Sequence, residues 1–165
     1  MLVIGIDPGT ATTGYGLVRE DDRGELITVD YGVISTPANL PIQERLLILY
    51  NQLNDILQHH RPDSGAVEKL FFSRNVRTAI SVGQGRGVAL LAMGAAGLAI
   101  GEYTPLEVKQ AVVGYGGAEK HQVQEMVRAI LNLEDLPQPD DAADALAVAI
   151  CHLHSQRIRS LSVSE

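Results

Sequence analysis

Met1-Leu2-Val3-Ile4-Gly5-Ile6-Asp7-Pro8-Gly9-Thr10 is the stretch on which the fold turns. Leu2 to Ile6 is a short apolar run without polar alternation, and Asp-Pro-Gly-Thr breaks it, so it reads as a central strand running into a turn. Working outward, Thr13 to Arg19 reads as a second strand carrying Gly14 and Gly16, and Glu25 to Ser35 as a third after the polar turn Asp21-Asp22-Arg23-Gly24. Strands joined by such short turns form an antiparallel meander. Pro41 opens a helix with Leu46, Leu49, Leu53, Ile56 and Leu57 at helical spacing, ending near His59-His60 before Arg61-Pro62. Ala66 to Leu70 is a fourth strand, Thr78 to Ile100 a long helix, and Gly101 to Thr104 a fifth strand. Helices follow over Pro105 to Val113, Ala118 to Leu131 and Asp140 to Ile158. The order predicts one α/β domain over residues 1–158, a mixed five-stranded sheet flanked by helices, with 159–165 as a flexible tail.

The 165 residues suffice for one domain with a sizeable core, and 45% hydrophobic with 20% charged residues is ordinary for a globular protein. The apolar start lacks a basic flank and is too short for a signal peptide. The most apolar run, Val88 to Ile100, falls short of the roughly 18 residues of a membrane span. A single cysteine, Cys151, permits no intrachain disulfide and fits a reducing compartment, so a cytoplasmic protein is expected. The net charge of −7 taken alone argues against a nucleic-acid partner. Its distribution changes that reading: residues 69–128 carry seven basic and four acidic groups, a local excess of +3, and form the one plausible electropositive surface. Bound divalent cations would offset part of the acidic remainder.

Four acidic residues stand out by position. Asp7 sits where the first strand ends, and Glu68 lies at or near the end of the fourth. Asp141 and Asp144, three apart in the first turn of the last helix, share one face and suit the positive end of its dipole. Taken singly, Asp141 reads as an N-cap, Asp144 as a solvated first-turn acid and Asp7 as a turn residue. Taken together they suggest a metal centre, because gathered carboxylates raise each other's pKa and a divalent cation relieves that cost. Hard oxygen ligands suit Mg²⁺ or Mn²⁺. Two such ions about 3.5–4 Å apart can serve phosphodiester hydrolysis.

Ile4-Gly5-Ile6-Asp7-Pro8-Gly9-Thr10 followed by Thr13-Gly14-Tyr15-Gly16 resembles the first motif of the RuvC family of Holliday-junction resolvases. Val67-Glu68 with Phe71 resembles the second motif. Val108-Lys109-Gln110 to Val113-Gly114 with Ala118-Glu119-Lys120 and Val123 resembles the third, and Asp141-Ala142-Ala143-Asp144-Ala145-Leu146-Ala147 the last. The motifs stand in family order from residue 4 to about 150. The resemblance implies a ribonuclease-H-like fold and a magnesium-dependent endonuclease that resolves Holliday junctions in recombination and DNA repair. It implies Asp7, Glu68, Asp141 and Asp144 as metal ligands and catalytic carboxylates, with two Mg²⁺ per subunit and Mn²⁺ as a substitute. Some members carry a histidine at the place of Asp141. Lys109 and Lys120 match basic positions beside the scissile phosphate or DNA backbone, where an ammonium can neutralise developing charge. Phe71 matches an aromatic that contacts bases at the junction centre, and Arg74 and Arg77 lie on the same basic approach, where they would hold phosphates. The implied partners are a four-way DNA junction, a second copy of the chain, and a branch-migration complex, RuvA-RuvB.

Gly83-Gln84-Gly85-Arg86-Gly87 superficially suggests a phosphate loop, but no strand runs into it and no Gly-Lys-Ser/Thr follows. Gly83, Gly87, Gly94 and Gly97 read instead as small positions that let another element approach the long helix. That element is the domain's own sheet or, as the resemblance suggests, the partner in a homodimer. Cys151, His152 and His154 are too few and too close for structural zinc. Three other functions compete. An ATP-binding phosphotransferase shares an Asp-x-Gly-Thr hairpin, yet clamps ATP between two such domains where this chain has room for one. A non-catalytic branched-DNA-binding module gains nothing from carboxylates beside phosphate. A general nuclease of the same fold is separated from a resolvase only by the later motifs.

Overall fold

The computed structural model describes residues 1–69 and 76–162. Phe71 and Arg74 lie outside the described residues. Strand β1 (Leu2–Asp7) takes the centre of a five-stranded sheet. Antiparallel β2 (Thr12–Glu20) lies on one side of it and β3 (Leu26–Ser35) beyond, completing the expected meander. On the other side, β4 (Ser64–Glu68) and β5 (Ala99–Tyr103) run parallel to β1, giving the order β3-β2-β1-β4-β5. Leu2 through Ile6 are all buried. A strand covered on both faces has no use for polar alternation, which is why this one reads as a continuous apolar run.

Helices cover both faces. On one lie α1 (Ile42–His60) and α2 (Val76–Ala95), packed through Leu49, Leu53, Leu57, Ala89, Ala92 and Met93. On the other lies α5 (Asp140–Ser162), backed by α3 (Pro105–Val113) and α4 (Lys120–Ile130). The period of two assigns the side chains. Leu2, Ile4 and Ile6 of β1 pack with α1 and α2, whereas Val3 packs with α5. Asp7, in step with Val3, therefore points to the α5 face. On β4, Val67 belongs to the α1–α2 core and Ala66 to the α5 core, so Glu68 also points to the α5 face.

Several boundaries differ from the sequence reading. α2 stops at Ala95, not Ile100. Gly97 takes a left-handed φ of 74°, which ends the helix and frees Ala99 and Ile100 to pair with Ser64 and Gly65. β4 correspondingly begins at Ser64 and ends at Glu68. α5 continues to Ser162, past Arg159. The glycines in and after α2 divide in what they meet within the chain. Around Gly87, Gly94 and Gly97 there is open space, and it is Gly85 that meets a neighbour: a Cβ there would lie 2.7 Å from the Gly9 carbonyl carbon and oxygen. Among the described residues no helix is long and apolar enough to cross a membrane.

Candidate metal centre

Three elements end at one place. Asp7 closes β1, and its antiparallel neighbour on β2 is Gly14. Parallel pairing of Ile6 with Val67 brings Glu68 alongside Asp7 on the same face. Across that face lies the start of α5, with Asp140 and Asp141 in its first turn and Asp144 just after. Gly14 makes the approach feasible, since any Cβ there would overlap the Asp141 carbonyl and lie 3.0 Å from the Ala142 nitrogen. Gly5 and Gly16, paired with each other in the sheet, continue the same notch under Ala149 and Leu146. Alanines at 142, 145 and 149 keep the facing side of α5 equally thin.

One carboxylate oxygen from each of Asp7, Asp141 and Asp144 lies within 4.8 Å of the others, close enough to share a cation. Glu68 falls outside this trio but lines the same cleft, of about 280 Å³, together with Asp7, Asp144, Lys109 and Lys120. Lys120, at the start of α4, places Nζ 3.1 Å from Asp144 Oδ2 and 3.4 Å from Asp140 Oδ2. Arg77 is exposed in the first turn of α2 and is not among the residues lining the cleft. Two polar residues were not anticipated. Asp140 shares Lys120 with Asp144, and the buried Gln124 donates from Nε2 to Asp140 Oδ1 at 3.0 Å. The i,i+4 spacing of Lys120 and Gln124 on an amphipathic helix was the available signal for this pair.

The electrostatics are those of a site waiting for positive charge. Burial pushes the Asp7 carboxyl up to about 8, the charges of Asp144, Glu68 and Asp141 add to the rise, and Lys120 opposes it. Glu68 is raised by burial and by Asp144, against the pull of Lys109. Asp144 is raised chiefly by burial, with Lys120 holding it back and Asp141 and Asp140 pushing further. An oxygen-only donor set, half-buried and mutually repelling, fits a hard divalent cation.

A pH dependence follows. A carboxyl whose folded pKa lies above its unfolded value holds its proton in the folded state after the unfolded chain has released it. Metal-free stability therefore falls as pH rises from about 4 towards 8, and the penalty is complete above that. Between pH 5.5 and 8.5 the Asp7 contribution amounts to about 2–3 kcal/mol, or about 4–10 °C in Tm. Thermal melts in EDTA should show this decline, and Mg²⁺ at pH 8.5 should reverse it. Melts independent of both pH and Mg²⁺ would mean that Asp7 is neither desolvated nor crowded by its neighbouring carboxylates.

Comparison with known proteins adds to this geometry. Residues 3–152 match the family model described as crossover junction endodeoxyribonuclease RuvC. A protein of that name from Syntrophomonas wolfei is 59% identical over 160 residues, covering 97% of this chain and 92% of the relative. The one from Chloroflexus aurantiacus is 59% identical over 155 residues, covering 94% of each. Among solved structures, Thermus thermophilus RuvC in complex with a Holliday junction substrate superposes with a TM-score of 0.91 at 37% identity, covering 96% of both chains. The mixed five-stranded sheet with helices on both faces is the ribonuclease-H-like fold that those structures share.

Proposed function

This chain belongs to the crossover junction endodeoxyribonuclease RuvC family, and from that premise we propose that it is a homodimeric Holliday-junction resolvase acting in DNA recombination and repair. The observation that carries the reading is the convergence of Asp7, Asp141 and Asp144 on one point, in a cleft flanked by Lys109 and Lys120. A pure DNA-binding surface would have no reason to hold three carboxylates against phosphate.

Asp7, Glu68, Asp141 and Asp144 would hold two Mg²⁺ per subunit, with Mn²⁺ able to substitute. Bound there, the ions would supply activation of a water and stabilisation of the leaving oxygen. The protein's own part is to fix the carboxylates on a strand end and a helix start, both rigid. Lys120, anchored between Asp140 and Asp144, presents its ammonium at the cleft wall, and Lys109 presents another opposite Glu68. Both neutralise charge on the scissile phosphate as it is attacked in line, giving a 5′-phosphate and a 3′-hydroxyl. Phe71 would stack on a base at the junction centre, while Arg74 and Arg77 hold phosphates.

The exposed face of α2, with Ile80, Gly87, Leu91 and Gly94, supports pairing with a second copy. Two-fold symmetry would then offer two equivalent sites to two opposed strands. A branch-migration complex, RuvA-RuvB, would deliver the junction, in the cytoplasm.

An end-labelled four-way junction with a mobile core, incubated with and without Mg²⁺ beside a linear duplex and a single strand, tests the reading. Paired, ligatable nicks in the junction alone and only with metal are expected. Cleavage of every substrate would indicate a general nuclease, and binding without cutting a junction-binding module. Lys109→Ala and Lys120→Ala should each slow single-turnover nicking by about 10- to 100-fold. Unchanged rates would return these lysines to the status of surface charges.

A further inference from the structure

The Arg86 segment, which reads in the sequence as a false phosphate loop, sits in α2 directly behind the metal centre. From the structure we infer that Arg86 is a positioning residue for Glu68: it completes the hydrogen bonding of the end of β4 and so fixes where the Glu68 carboxylate stands. The inference concerns how the site holds its cation, and it rests on the reading of Glu68 as a ligand.

Lys69 N–H donates to the Tyr103 carbonyl on β5 at 2.7 Å. The Glu68 carbonyl, on the opposite edge of the same peptide plane, therefore points towards β1. Extending the parallel register beyond Ile6 and Val67, the donor facing that carbonyl would be the N–H of residue 8. Residue 8 is Pro8, which has none. The ladder thus lacks a donor at the very residue that must be held still, because the chain turns at Asp-Pro-Gly immediately after placing Asp7.

Arg86 fills the gap from the other face of the sheet. Its Nε donates to the Glu68 carbonyl oxygen at 3.3 Å, and its Nη2 pairs with the Glu102 carboxylate on β5. Glu102 alternates with Tyr103, so it points to the α2 side while Tyr103 packs under α5. The guanidinium fork therefore ties β4 to β5 from behind, while the Glu68 carboxylate projects forward into the cleft. A lysine could carry the same charge but could not offer two donors in that fixed geometry.

The same turns of α2 brace the other strand end. Thr10 donates to the Ser81 carbonyl at 3.0 Å and also pairs with the Ser81 hydroxyl, and Gly85 packs on Gly9. α2 thus supports the turn after Asp7 and the strand end at Glu68 together. Groups that support ligands without touching the ion commonly change metal affinity by about 10- to 100-fold.

The test is Mn²⁺ binding by the full chain, followed by electron paramagnetic resonance, in wild type, Arg86→Met, Arg86→Lys, Glu68→Gln and the Glu68→Gln/Arg86→Met double variant. Arg86→Met should weaken Mn²⁺ binding by about tenfold and Arg86→Lys by less. In the Glu68→Gln background Arg86→Met should add nothing, because Arg86 acts through Glu68. Wild-type affinity in Arg86→Met, or an equal loss in both backgrounds, would overturn the inference. If Arg86→Met does not fold, Arg86→Lys carries the same comparison. Junction nicking run in parallel keeps the two readings apart: a wild type that binds Mn²⁺ through Glu68 but does not nick would end the proposed function and leave this inference standing.

Discussion

Asp7→Asn is expected to abolish metal-dependent nicking of a four-way junction, by on the order of 10³-fold or more, while leaving junction binding intact. Asp7 is where the three supporting elements meet. It ends β1, sits beside Glu68 in the sheet and contributes to the oxygen trio with Asp141 and Asp144. Asparagine keeps the shape and one oxygen but removes the charge that a cation needs. Because the Asp7 carboxyl is already driven up to about 8 by burial and three like charges, its removal also relieves repulsion. The variant should therefore melt higher than wild type in EDTA at pH 8.5, and respond less to added Mg²⁺. Binding of a junction should hold or tighten, since a negative charge beside phosphate is lost. Loss of activity with a higher Tm cannot be ascribed to misfolding. Retained cleavage would remove Asp7 from the metal centre.

Asp7, Asp141 and Asp144 of the candidate site were legible in the sequence, Asp140 and Gln124 were not, and neither were the reasons they converge. Asp7 was visible because it breaks an apolar run at its end, and Asp141 and Asp144 because a spacing of three puts both on one helical face. Their meeting depends on a contact between residues far apart in the chain, the seat of the α5 first turn on Gly14. Gly14 and Gly16 could be read as strand glycines, but no local pattern says which helix lies on them. The boundary between α2 and β5 was misplaced for a related reason. Leu98, Ala99 and Ile100 continue an apolar run that fits helix or strand equally, and only pairing with β4 decides it. Likewise, the glycines of α2 suggested a close approach, yet periodicity could not single out Gly85, whose neighbour is the Gly9 turn. Lys120 and Asp144 are 24 residues apart, so their ion pair exists only once α4 has docked on α5.

That dependence on one thin contact leads to the second large effect, expected for Gly14→Ala. A methyl group at position 14 would overlap the Asp141 carbonyl, which is backbone and cannot rotate away as a flexible side chain could. The first turn of α5 would have to lift. It is not free to pivot, because the next turns are pressed on the sheet at Gly5, where an added Cβ would lie 2.6 Å from the Ala149 nitrogen, and at Gly16, 2.9 Å from the Leu146 nitrogen. Overpacking of this kind costs about 1–3 kcal/mol and more where backbone must move, so Tm should fall by about 4–10 °C. The functional loss should be larger than the stability loss suggests. A displacement of about 1 Å at a reacting centre can cost about 100-fold in rate, and here Asp141 and Asp144 would shift together away from Asp7. Gly117→Ala is the matched control, because its Cβ would meet nothing closer than 3.5 Å on an exposed turn. Melts and Mn²⁺ titrations of the two variants should diverge, Gly117→Ala tracking wild type and Gly14→Ala losing both stability and affinity. If Gly14→Ala instead kept wild-type affinity, α5 would have to be seated loosely enough to yield, and the carboxylate trio would owe its geometry to something other than the glycine notch beneath it.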